Sequence, residues 1–383
     1  MKNYIKKLNL FFLFLAPAFL PAEPLYSSTW GFFLDLPESY EFVEGNDIDR
    51  YSFQGPLNVK FDIAVYRNVY RNIEQLSADV KRRLGNTGDT AFFEYGTKAA
   101  ALIELNFGDF AGWALCVELD GGGTNGIPQG GTPQGGTPPL FVALSYAPKK
   151  INMDLYHLSA LNSLAPSEAE RRLPGPIMEF GFPRGQLRKE TLAGTGLSAL
   201  IREHDAEAAQ ALVDREFALL SHYQSTPVWQ EAWIRFYRAI YRDSRDRIAD
   251  AVLQLERNWN KNTGKRAFAE KALAFVQGFT YERDPGGSDF VNLVSAVTEG
   301  RGDCDSRAML WAMILIQADI PAAIMVSRQY SHAMGLADVP GIGARFKAGG
   351  INWLVAETTT KLDIGRINKD MSNTEAWLGI LFE

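Results

Sequence analysis

The chain is poor in the residues that most often build metal and disulfide sites. Its 383 residues include two cysteines and four histidines, with no C-x-x-C pair. A zinc centre or a disulfide framework is therefore not expected. Long basic runs are missing and the formal charge is −6, which argues against nucleic acid as a partner. Residues 121–139 are rich in glycine and proline and contain PQGGT twice in tandem, but no GK[ST] follows. A phosphate-cradling loop is thus not indicated. The segment reads as an expanded hairpin loop, too poor in apolar surface to offset its ordering entropy. Outside the first 22 residues no apolar run approaches the roughly 20 residues that a membrane-spanning helix needs.

The first 22 residues have the form of an export signal. Lys2, Lys6 and Lys7 precede the apolar stretch LNLFFLFLAPAFL, and Pro21-Ala22 offers a small residue at a cleavage point. The stretch is short for a span, and Pro17 interrupts it. Cleavage would remove three lysines, take the formal charge from −6 to −9 and leave no stable membrane span. The expected location is periplasmic or extracellular.

In an oxidising compartment two cysteines invite pairing, but their surroundings differ. Cys116 lies in the apolar run Trp113-Ala114-Leu115-Cys116-Val117, where a free cysteine behaves as a small buried hydrophobe. Cys304 lies among charges, in Arg301-Gly302-Asp303-Cys304-Asp305-Ser306-Arg307. Two such settings, in separate parts of the chain, argue against a disulfide.

Patterning divides the chain into four parts: the signal at 1–22, an α+β sheet domain at 28–184, a helical connector at 185–245 and a C-terminal domain at 246–383. The sheet domain opens with a strand over 30–36. Val59, Phe61, Ile63 and Val65 then alternate with polar or smaller neighbours, as in a half-buried strand. Ile73, Leu76, Val80 and Leu84 follow at helical spacing, with Gly85 placed to end the helix. Further strands are expected over 99–107, 113–119 and 140–146, giving an antiparallel sheet with a helix packed on it. Prolines at 166, 174, 176 and 183 break any long element before the connector. Within the connector, Thr226 and Pro227 suggest a cap and first position. Trp229, Trp233, Phe236 and Ile240 form an aromatic stripe, read as an interdomain seam or as the wall of a peptide groove. Helices are expected over 248–259 and 266–279.

The residues that carry chemistry begin at Gly300-Arg301-Gly302-Asp303-Cys304, which runs into the apolar stretch Ala308-Met309-Leu310-Trp311-Ala312-Met313-Ile314-Leu315. Glycines turn the chain, Asp303 is placed to cap the helix, and Cys304 falls in its first turn. There the helix dipole and free amides favour a thiolate and can hold an oxyanion. Asp303 and Asp305 oppose the first effect. Strands are expected over 322–327, from about 330 and over 351–357. A sheet of this order, packed on the cysteine helix, could bring His332 to the thiol and Glu357 behind the imidazole, as thiol catalysis requires. His157, His204 and His222 show no ligand spacing.

These residues also carry a resemblance. G-x-G-D-C-x-x-R-A at Gly300–Ala308, then His332-Ala333, then W-x-x-x-E-x-T from Trp353 through Glu357 to Thr359, resemble the core of the transglutaminase-like, papain-type cysteine peptidases and transferases over about 246–362. The resemblance implies Cys304 as nucleophile, His332 as general base and Glu357 as orienting carboxylate, without cofactor or metal. Glu357 stands where aspartate is usual, with Asp363 as the alternative. Met334 replaces the usual aromatic residue and is expected to alter the groove wall. Tyr281 and Asn292 are candidates for an oxyanion or groove residue. The stretch Phe33-Leu34-Asp35-Leu36-Pro37-Glu38-Ser39-Tyr40 resembles the opening of the small sheet-and-helix domains of the Mog1/PsbP type, which implies a binding or accessory module. The expected activity is thiol-dependent acyl hydrolysis or transfer on a peptide, protein or cell-wall amide. The alternative is an exported binding protein that keeps the fold without turnover.

Overall fold

A computed structural model describes residues 24–46, 48–120, 137–283 and 288–382. The signal at 1–22 and most of the Gly/Pro loop at 121–139 lie outside the described residues. The architecture is mixed α and β, with a large antiparallel sheet in the first half. No helix among the described residues is long and apolar enough to cross a membrane.

Two short strands, β1 (Leu25–Tyr26) and β2 (Phe33–Leu34), pair with each other. They take the place of the longer strand expected over 30–36. Strands β3 (Glu41–Gly45), β4 (Arg50–Gln54), β5 (Lys60–Tyr66), β6 (Thr90–Tyr95), β7 (Lys98–Phe107), β8 (Phe110–Glu118) and β9 (Leu140–Pro148) form the seven-stranded sheet, in the order β3-β4-β5-β9-β8-β7-β6. Its period-2 alternation has the usual cause, since successive side chains point to opposite faces. Phe61, Ile63 and Val65 bury on one face with Leu115 and Phe141, whereas Ala64 and Tyr66 face the other.

Helix α1 (Ile73–Leu84) covers that other face through Ile73 and Leu76. Asn72 caps it by accepting the Gln75 amide, and Gly85 ends it at φ 60°. Cys116 is fully buried beneath α1, and both cysteines are free thiols. Helices α2 (Asp154–Asn162) and α3 (Pro176–Gly181) lie over the opposite face.

The segment expected to be a helical connector opens instead with a hairpin, β10 (Leu187–Thr191) and β11 (Ser198–Arg202). Ala199 and Ile201 are buried while Leu200 is exposed. This is a strand pattern too short to stand out beside the helical composition that follows. Gly194 and Gly196 make the turn at positive φ. Next come α4 (Asp205–Ser221), α5 (Trp229–Arg247), α6 (Ala249–Trp259) and α7 (Lys265–Gln277). Thr226 does not cap α5. Its hydroxyl donates to the Tyr223 carbonyl at 2.8 Å, and the helix starts at Trp229.

Helix α9 (Cys304–Gln317) is buried from Ser306 to Leu315. Strand β12 (Thr280–Tyr281) pairs in parallel with β13 (Arg301–Gly302), and α8 (Leu293–Glu299) lies between them in the chain. The last strands are β14 (Ala322–Ser327), β15 (His332–Ala337), β16 (Arg345–Ala348), β17 (Ile351–Ala356) and β18 (Leu378–Ile380). They form an antiparallel sheet in the order β16-β17-β15-β14-β18. Helix α9 packs on β14 and β15. Each large apolar side chain it buries there contributes on the order of 1.5–3 kcal/mol.

One close approach fixes that packing. Trp311 is fully buried, and its indole N–H donates to the Ala269 carbonyl at 3.0 Å. A Cβ at Gly335 of β15 would collide with its ring. Gly335→Ala should therefore destabilise the protein by about 1–3 kcal/mol, read as a lower urea midpoint. An unchanged midpoint would show that the strand does not rest on the ring.

Candidate active site

Cys304 is the first residue of α9 and is almost fully buried. Asp303 precedes it in extended conformation and caps the helix, its Oδ1 accepting the Ser306 amide at 2.8 Å and the Ser306 hydroxyl. The turn before the helix is held by Arg307. Its guanidinium is buried, donates to the Gly302 carbonyl at 3.0 Å and the Phe279 carbonyl at 2.9 Å, and lies over the Tyr281 ring. A cation with carbonyl partners in this position locks the loop that presents the thiol.

His332 opens β15, and its Nε2 lies 2.8 Å from Glu357 Oε2. The other oxygen of Glu357 accepts the Thr359 amide at 2.7 Å and the Thr359 hydroxyl at 2.6 Å. Gln277 of α7 donates to the Glu357 carbonyl at 2.8 Å. The carboxylate is thus held on both oxygens and anchored at its backbone. Burial alone would raise its pKa, but the bonds from His332 and Thr359 outweigh that and hold it below the usual carboxylate value. Asp363 is exposed and paired with Arg366 at 3.6 Å, so Glu357 is the carboxylate that meets the imidazole. With Nε2 engaged, Nδ1 is the ring nitrogen left for a proton transfer.

Cys304 and His332 line one cleft of about 320 Å³, together with Tyr281, Trp233 and Phe236. The aromatic stripe therefore divides. Ile240 lies in the core, Phe236 is buried in the same core and also lines the cleft, and the partly buried Trp233 faces the cleft. Asn292 serves elsewhere: it caps α8 by accepting the Ser295 amide at 2.9 Å and donates to Gln210. Met334 does not form part of the groove wall. It packs with Met325 and Trp353 on the far side of the five-stranded sheet.

The thiol's own bonds run to neighbours that sequence reasoning had not assigned. Its S–H donates to Asp305 Oδ2 at 3.3 Å, and the Ala333 amide donates to the sulfur. Asp305 also accepts the Tyr237 hydroxyl at 2.5 Å. The expected lowering of the thiol pKa by the helix N-terminus is reversed. Burial, then the charges of Asp305 and Asp303, push it well above the usual cysteine range, and the Ala333 amide only partly offsets them. Asp303 is itself pushed up, by burial and by Asp305. Asp303, Cys304 and Asp305 also bring three potential ligand atoms within 4.8 Å of one another. Asp303 Oδ1 already accepts from Ser306, and the carboxylate of Asp305 from Tyr237 and the thiol.

No protein-family model matches the chain, and no curated protein matches it.

The electrostatics can be tested directly. Asp305→Asn keeps an acceptor for Tyr237 but removes the charge beside the sulfur. The pH midpoint for iodoacetamide alkylation of Cys304 should fall, and alkylation near neutral pH should accelerate by roughly tenfold, the effect of one pKa unit. A midpoint that stays or rises would mean that Asp305 does not hold the proton on the thiol.

Proposed function

We propose that the chain is an exported, thiol-dependent acyl hydrolase or transferase with a transglutaminase-like, papain-type catalytic region, acting on peptide or isopeptide amides. The observation that carries this reading is the bond of 2.8 Å between His332 and Glu357, with His332 and a cysteine at the start of a buried helix opening on one cleft. A nucleophile, a base and a group that orients the base make up the constellation used in thiol catalysis. The resemblance of the three motifs, in chain order, gives the same roles.

In this mechanism His332 Nδ1 takes the thiol proton as the sulfur attacks the amide carbonyl. Glu357 stabilises the imidazolium that forms and keeps the ring aligned. Unpaired amides at the start of α9 receive the oxyanion. Collapse of the tetrahedral intermediate breaks the C–N bond, and His332 returns the proton to the leaving amine. The resulting thioester is hydrolysed by water, or transferred to an amine, with His332 again as base. Because burial and Asp305 hold the thiol pKa up, proton transfer in this mechanism accompanies attack rather than preceding it.

One observation favours a second reading, a binding protein that retains this fold without turnover. The S–H bond to Asp305 and the raised thiol pKa are features of an idle nucleophile. The amino-terminal sheet, with its Mog1/PsbP-type opening, fits either reading as an accessory binding module.

Turnover of a fluorogenic peptide-amide library by the mature protein decides between them. Under the enzymatic reading, Cys304→Ala abolishes turnover and His332→Ala lowers kcat by at least about a hundredfold. Glu357→Gln lowers kcat with little change in KM. Iodoacetamide labelling of Cys304 that is unaffected by His332→Ala would favour the binding protein.

A further inference from the structure

The cleft beside Cys304 has two unlike walls. Val326, Ser327 and His332 form one, from β14 and β15. Phe217 and Leu220 of α4 with Trp233 and Phe236 of α5 form the other. The second wall is apolar and built edge to face. Phe217 meets Phe236 at 6.4 Å and 62°, Phe236 meets Phe290 at 6.4 Å and 89°, and Trp229 meets Trp233 at 5.7 Å and 87°. Such contacts fix each ring against the next and leave a firm surface rather than a collapsible one.

The charged groups that line the same cleft are already engaged. Asp303 is taken by Ser306, and Asp305 by Tyr237 and the thiol. Arg283 pairs with Asp289 at 3.5 Å and with the Tyr281 hydroxyl at 3.4 Å. Arg328 donates to the Gln224 carbonyl at 2.9 Å. A charged side chain laid on the aromatic wall would lose hydration, and the cation nearest it, Arg328, already lies over the Trp229 ring. A large apolar side chain would bury area on both surfaces.

We propose that this wall selects an amide whose acyl side bears a large aliphatic or aromatic side chain, with Trp233 and Phe236 as the specificity-determining residues. The proposal rests on Cys304 being the nucleophile of the reaction above. Its substrates are apolar peptide segments, not acyl groups carrying a carboxylate or no side chain.

The test uses the full chain and four fluorogenic peptide amides that differ only in the acyl residue: glycine, glutamate, leucine or phenylalanine. The leucine and phenylalanine substrates should exceed the other two in kcat/KM by about tenfold or more, the usual discrimination of an apolar pocket. Trp233→Ala should reduce that ratio by at least about threefold, and Trp233→Phe should largely retain it. A best substrate with glycine or glutamate, or a ratio that survives Trp233→Ala, overturns the proposal. Calorimetry with the corresponding methylamides and Cys304→Ala separates this from the reaction itself. Preferential binding of the apolar peptides, without turnover by the wild type, supports the wall and removes the hydrolase reading. Equal binding of all four peptides overturns the wall whether or not the protein turns them over.

Discussion

Trp311 lies wholly buried in the middle of α9, and the strand that bears His332 crosses it at Gly335. The helix that starts at the thiol and the strand that starts at the imidazole are thereby held at one fixed separation. Ser327 of β14 pairs with His332, and Gly335 pairs with Ala356, the residue before Glu357. The Ala333 amide that bonds the sulfur belongs to the same strand. Sheet register thus places the carboxylate and the imidazole, while one ring packed against a bare backbone places the thiol. Interiors packed at crystal-like density transmit small displacements, so a shift of that strand moves the imidazole and the amide bond to sulfur together.

Helix α5 joins this arrangement to the first half of the molecule. One side of it carries Trp233, Phe236 and Tyr237 into the cleft. Another carries Arg235, buried between Glu38 at 3.2 Å and Glu216 at 2.7 Å, with Ser159 also bonded to Glu216. Arg238 reaches Asp35 at 2.8 Å, and Arg242 bonds the carbonyls of Ser163 and Leu164. Buried ion pairs of this kind add little net stability over an apolar core, because desolvation offsets their attraction. Breaking one leaves an uncompensated charge, at about 3–5 kcal/mol. Their effect is to fix orientation: the residues before the large sheet clamp the helix whose other face is the apolar wall.

Much of this was legible in the sequence where local rules act alone. Gly85 ends α1, Asp303 caps α9, and the alternation from Val59 to Val65 gives β5 its faces. The stripe from Trp229 to Ile240 was read either as an interdomain seam or as the wall of a peptide groove; Ile240 lies in the core and Trp233 lines a cleft, because burial changes along the helix. Misses came where long-range packing overrides a local pattern. Strands β3 and β6 lie at the sheet edges, and β3 exposes Phe42 and Val43, so neither shows a clean alternation. The hairpin at β10 and β11 hides in a segment of helical composition. Met334 was placed in the groove by analogy, but its strand turns that side chain to the far layer. Asp305 stood beside Cys304 as a mere opposing charge; nothing in the sequence aligned it with Tyr237, 68 positions upstream.

Under the proposed reaction, that pairing changes how the site would have to work. In a thiolate–imidazolium pair at rest the helix N-terminus would dominate, but here burial and two carboxylates exceed it. Tyr237 donates to Asp305 and so keeps that carboxylate in place as an acceptor for the S–H. In the proposed reaction, a substrate seated on the aromatic wall would exclude water from the cleft, which would strengthen every charge interaction within it. It would strengthen the repulsion between Asp305 and a thiolate, but equally the attraction between Glu357 and an imidazolium. The two effects oppose each other and both grow as the proton moves to His332, but formation of the S–C bond relieves the first by moving the charge from sulfur to the carbonyl oxygen. A site with this charge arrangement gains least from a free thiolate and most from a proton that moves while the S–C bond forms, as an amide whose acyl group reaches the sulfur allows.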